Sequence, residues 1–102
     1  MSSFDMQLCE DIDYSIKFKK NYRVILFNDP TTTEDFILDE VLCNIFKYSV
    51  KEGYALMKSI EADGCKCIAV LPKKLAEVRV KKSKSLAEQH NFNDFKIKIE
   101  ED

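Results

Sequence analysis

One histidine, His90, serves the whole chain, and none of the four cysteines stands near it in sequence. That scarcity leaves no Ser/His/Asp or Cys/His grouping, so hydrolytic chemistry has no obvious base. Cys65 and Cys67 are separated by one residue rather than the two of a zinc knuckle, and Cys9 and Cys43 lie far away. The expectation is free thiols in a reducing compartment, with no metal, no cofactor and no catalytic residue. No apolar run approaches the ~20 residues of a membrane-spanning helix. Asp5, Glu10, Asp11 and Asp13 precede the first basic residue, which does not read as a secretory signal. A cytoplasmic protein is expected. There is also no internal repeat and no low-complexity linker. The formal net charge of −2, from 16 basic and 18 acidic residues, argues against nucleic acid as the main partner.

What is present fits one soluble domain. The 102 residues are 45% hydrophobic and 33% charged, an ordinary balance with enough apolar material for a modest core. Residues 1–20 change from acidic to basic without a sustained apolar period and are expected to form a flexible extension. Residues 21–102 are expected to form the folded core. Tyr22 to Phe27 is apolar or aromatic except for Arg23, which predicts a strand. Thr32 with Asp35, or Thr31 with Glu34, supplies a capping-box start for a helix. Its stripe is Ile37, Leu38, Val41, Leu42, Ile45 and Phe46. Ser49 with Glu52 opens a second helix with Val50, Tyr54, Met57 and Ile60 on one side, and Asp63-Gly64 ends it. Cys65–Leu71 reads as a strand, and Pro72 starts a third helix with Leu75, Val78, Leu86 and Ala87 inward. Phe95, Ile97 and Ile99 alternate with Lys96 and Lys98 in a last strand. The order is β-α-α-β-α-β, an α+β domain with a three-stranded antiparallel sheet and helices packed on one face.

Between the first strand and first helix stands Asn28-Asp29-Pro30-Thr31-Thr32-Thr33. Such residues suffice for a plain turn. The same stretch sets an amide beside a carboxylate at a strand end, where a cation can be held. Asp29 precedes a proline, which restricts its backbone toward extended conformations. The third helix is basic, with Lys73, Lys74, Arg79, Lys81, Lys82 and Lys84 against Glu77. It lacks interleaved aromatics and Gly-rich loops, so a solvated face is the simpler account than nucleic-acid binding.

Taken together, Tyr22-Arg23-Val24-Ile25-Leu26, Asn28-Asp29, the threonine-rich cap, Leu56-Met57-x-x-Ile60, Gly64 and Ala76-Glu77 resemble the ClpS adaptors of bacterial ATP-dependent proteolysis, over about Tyr22 to Ile99. The resemblance implies a binding module that is not an enzyme, expected to be a monomer. ClpS proteins recognise a free bulky N-terminal residue and deliver the substrate to the ClpA unfoldase of the ClpAP protease. By that resemblance Asn28, Asp29 and Glu61 bind the amino group. Leu26, Thr32, Leu38, Met57, Ile60 and Phe95 form the side-chain pocket, Lys74 and Arg79 face the unfoldase, and residues 1–20 engage it. Glu61 replaces the family's usual histidine, and Glu34 or Asp35 stands nearest its gating methionine. One extra residue separates Asn28 from Met57, leaving the correspondence at Ile37 and Leu38 open by one position. The competing expectation is a divergent paralogue that modulates the unfoldase or binds another protein without reading N-termini.

Overall fold

The computed structural model describes residues 20–102; the expected extension lies outside the described residues except for Lys20. The first strand, β1 (Asn21–Phe27), buries Val24, Ile25 and Leu26 in succession. Val24 and Leu26 are fully buried, while Arg23 and Phe27 are partly exposed. It is the central strand of the order β2-β1-β3, antiparallel on both sides. β2 spans Cys65–Pro72 and β3 spans Ile97–Glu101. The register of β1 on β2 slips between Val24 and Ile25, whose partners are Ala69 and Cys67, so Ile68 is the extra residue of a bulge. A bulge leaves a residue out of the ladder. Here the Tyr48 hydroxyl donates to the Ile68 carbonyl at 2.7 Å and satisfies it.

The first helix, α1 (Phe36–Ile45), departs from expectation because it is wound as a π-helix. At its end Phe46 N–H donates to Val41 O, five residues back. The buried set is therefore Phe36, Val41, Leu42, Ile45 and Phe46, whereas Ile37 and Leu38 are only half buried. A π turn holds more residues than an α turn, so this helix has room for the extra residue between Asn28 and Met57. Its N-terminal N–H of Phe36 is met by Thr33 Oγ1 at 3.2 Å. Thr31 and Thr32, the expected caps, turn elsewhere.

Ser49 and Glu52 form the reciprocal capping box that opens α2 (Val50–Asp63), and Gly64 at φ 90° closes it. Gly53, Met57 and Ile60 face inward, while Val50 and Tyr54 stay exposed, correcting the expected stripe. Gly53 lets α1 approach closely: a Cβ there would lie 2.9 Å from Leu38 Cδ1. The third helix, α3 (Lys73–Gln89), buries Ala76, Val80, Ser83 and Ala87. Of the expected stripe, Ala87 is buried and Leu86 half buried, whereas Leu75 and Val78 remain exposed. The small side chains let α3 lie close over all three strands. Among the described residues no helix is long and apolar enough to cross a membrane. The architecture is the α+β sheet-and-helix domain expected from the sequence.

Candidate functional site

The loop leaving β1 is pinned at its base before any side chain matters. Phe27 N–H donates to Lys96 O at 3.1 Å, and Asn28 N–H donates to Gly64 O at 2.9 Å. The loop end of β1 is thus tied to the turn between α2 and β2. Thr32 N–H then donates to Asp29 O at 3.2 Å, closing the turn around Pro30.

Within that turn the Asp29 carboxylate gathers three hydrogen bonds. Oδ1 accepts from Thr31 N–H at 3.2 Å. Oδ2 accepts from the Thr31 and Thr32 hydroxyls at 2.6 and 2.7 Å. Partial burial opposes ionisation, but these hydroxyl and N–H donors outweigh it and hold the Asp29 carboxyl below its ordinary value. The carboxylate is charged at neutral pH and held fixed.

Above this turn opens a cavity of about 200 Å³, smaller than the ~300–1,000 Å³ of sites for drug-sized ligands. It suits a single large side chain. Leu26, Met57 and Ile60, all buried, wall it together with half-buried Ile37. Asn28, Asp29 and the buried Thr32 line it from the loop, Glu61 from α2 and Glu34 from the approach to α1. The structure therefore brings together seven of the nine residues expected for the amine and side-chain sites.

The other two lie elsewhere. Leu38 packs toward Gly53 of α2, and Ile37 lines the cavity instead, because the π winding of α1 turns the neighbouring residue toward it. Phe95 precedes β3 and meets the Phe36 ring edge-on, with centroids 5.7 Å apart. It belongs to an aromatic group with Phe92 and His90, the latter stacked on Phe92. Glu34, Phe27 and Pro30 line the cavity without having been expected there. For Glu34 a signal existed in its place nearest the family's gating methionine.

Glu34 and Glu61 are joined by Lys58, whose Nζ donates to Glu34 Oε2 at 3.1 Å and Glu61 Oε1 at 3.3 Å. The two carboxylates raise the pKa of the Lys58 ammonium well above its ordinary value. On α3, Lys74 is exposed, while Arg79 is half buried with its guanidinium 5.9 Å from the centre of the Phe46 ring. Cys43, Cys65 and Cys67 are free thiols. Among the described residues no group of three metal-ligating side chains gathers.

The family model of the ATP-dependent Clp protease adaptor protein ClpS matches residues 17–98. This chain belongs to the ClpS adaptor family. The ATP-dependent Clp protease adapter protein ClpS of Nautilia profundicola is 31% identical over 80 residues, covering 78% of this chain and 81% of that protein. Its counterpart in Campylobacter jejuni strain RM1221 is 34% identical over 83 residues, covering 81% and 84%. Among solved structures, Agrobacterium tumefaciens ClpS2 bound to L-phenylalaninamide superposes with a TM-score of 0.76 at 26% identity. That match covers 82% of this chain and 99% of the other. Family and fold thus agree with the architecture and with the resemblance seen in the sequence.

Proposed function

We propose that this ClpS-family chain is an adaptor that captures polypeptides by a free, bulky apolar N-terminal residue and passes them to an AAA+ Clp unfoldase. One observation carries the reading: a fixed, ionised Asp29 shares with Leu26, Met57 and Ile60 a cavity sized for one side chain. A carboxylate offers about four lone-pair positions, and three at Asp29 are taken by its own loop. The remaining one, on Oδ1, is available to an ammonium. The Asn28 side-chain oxygen and Glu61 supply further acceptors for a group with three donors. An internal peptide brings only one N–H and no charge. Full burial of a Phe or Leu side chain against Leu26, Met57 and Ile60 adds roughly 1.5–3 kcal/mol, and Met57 adapts its thioether to different rings. These terms suit a complex near the ~8 kcal/mol of micromolar binding, from which cargo can be released. The Agrobacterium protein's ligand, an amino-acid amide with a free amine and an aromatic ring, has the chemistry this cavity asks for.

Delivery falls to other surfaces. Lys74 and Arg79 on α3 and the extension of residues 1–20 are the proposed unfoldase contacts. The role is binding without catalysis, in the cytoplasm, by a monomer. A fluorescence titration with a peptide beginning in Phe tests the capture step. Micromolar binding of the free peptide and loss of binding after N-acetylation are expected; equal affinity for both forms would sink the proposal.

A further inference from the structure

Cys65 and Cys67 are both free thiols, and β2, which carries them, is an edge strand of the sheet. Successive strand residues point to opposite faces, so residues two apart share one. The bulge at Ile68 follows the pair and leaves this alternation intact: Cys65 stands opposite Phe27 and Cys67 opposite Ile25. Ile68 itself joins the core with Val24 and Leu26. The two thiols therefore lie side by side on the face away from the helices, Cys65 exposed and Cys67 half buried.

Their spacing separates two uses of such a pair. Alpha carbons two residues apart on a strand lie about 6.7 Å from each other, at the outer limit of the ~4.4–6.8 Å that a disulfide accepts. Two metal–thiolate bonds of about 2.3 Å, set in line, hold the sulfurs about 4.6 Å apart instead of the ~2 Å of a disulfide. A bridging ion thus fits where a direct S–S bond strains. Zinc asks for four ligands, and among the described residues no third metal-ligating side chain joins the pair. The soft ion that thiolates select and that is satisfied by two of them is monovalent copper. Charge favours it as well. Arg23 of β1 lies beside Cys67, and a hydrogen bond with that sulfur raises the guanidinium above its ordinary pKa. Glu100 is 3.9 Å from Arg23, too far for a competing hydrogen bond. Two thiolates around one Cu(I) leave a single negative charge, which the guanidinium offsets.

We propose that Cys65 and Cys67 form a two-coordinate site for Cu(I), with Arg23 balancing its charge. Each thiol yields its proton to solvent as its sulfur binds, and the copper remains monovalent throughout.

The test is an anaerobic titration of the full chain with Cu(I) against a chromophoric Cu(I) chelator, followed by X-ray absorption at the copper edge. One Cu(I) per chain, with two sulfur neighbours in line, is the expected result. Cys65→Ser and Cys67→Ser should each abolish retention, and Arg23→Gln should weaken it about tenfold. Cys9→Ser and Cys43→Ser should leave it unchanged. Copper surrendered to the chelator by the unsubstituted chain, copper kept after either β2 substitution, or copper lost on Cys9→Ser or Cys43→Ser overturns the site. Unchanged retention by Arg23→Gln overturns the part assigned to the arginine.

Discussion

Thr32 donates its hydroxyl to Asp29 Oδ2 across 2.7 Å, although it is one of three consecutive threonines placed to cap the following helix. Capping falls to Thr33 instead. The division matters because the buried Thr32 ties the cavity wall to the carboxylate proposed to meet the ligand's charge. Thr32→Val keeps the shape and removes the donor. It should weaken binding of a Phe-initiated peptide several-fold with little change in fold, as measured by titration beside circular dichroism; unchanged affinity would deny Thr32 this role.

Removing the anchor itself should be costlier. A hydrogen bond to a charged group contributes about 1.5–3 kcal/mol, so Asp29→Ala should reduce affinity for a free N-terminal Phe by about ten- to a hundredfold. Lys82→Ala, on the exposed side of α3, should leave it unchanged.

The pH dependence follows from the two charges that must meet. Capture needs an ionised Asp29 and a protonated α-amine, whose ordinary pKa is about 7.7–8.0. Binding should be level between about pH 5 and 7 and decline above about pH 8. Because folding lowers the Asp29 value, its contribution to stability is complete above the unfolded value and is lost as pH falls through the folded one. Acid should therefore loosen this loop only below the ordinary carboxylate range. Isothermal titration across pH, with the chain's fold monitored in parallel, checks both limits.

Gly64 holds φ at 90° and its carbonyl receives Asn28 N–H. An alanine there meets no neighbouring atom but adopts a left-handed backbone, at about 1–2 kcal/mol. Gly64→Ala should lower the melting temperature and, by disturbing the tie to the site loop, weaken peptide binding as well. Full stability in a thermal melt would contradict the strain assigned to this turn.

At the bulge, Tyr48→Phe removes the hydroxyl that donates to Ile68 O. Leaving that carbonyl unpaired should cost about 1–3 kcal/mol in urea unfolding, without altering ligand selectivity.

Much of this was legible in the sequence because the strongest signals are local. Ser49 and Glu52 announce α2, Gly64 ends it, and the alternation around Ile97 marks β3. The Asn28-Asp29 pair could be placed at the end of β1 from the local pattern, and the family resemblance added Glu61, which lines the same cavity. What failed was face and winding. In α3, Leu75 and Val78 looked like core, but at that end the helix turns Ala76 and Val80 inward, and with Ser83 and the expected Ala87 these mostly small side chains make the buried face. In α1, the family resemblance put Leu38 in the pocket, with the choice between Ile37 and Leu38 open by one position. The π winding gives that place to Ile37 and sends Leu38 to Gly53. Phe95 lies before β3, and its ring is drawn into the Phe36 group rather than the cavity. The Lys58 bridge joins α2 to Glu34 across 24 residues, a pairing no local pattern reveals.

The central claim is that Asn28, Asp29 and Glu61 recognise a free α-amino group beside an apolar slot. Amide-resolved NMR of the full chain, titrated with L-phenylalaninamide and then with its N-acetylated form, tests it most directly. Saturable shifts at Asn28, Asp29, Thr31, Thr32 and Glu61, produced by the free amine and absent with the acetylated compound, are the predicted result. Shifts that appear equally with both, or that fall outside these residues, would contradict it.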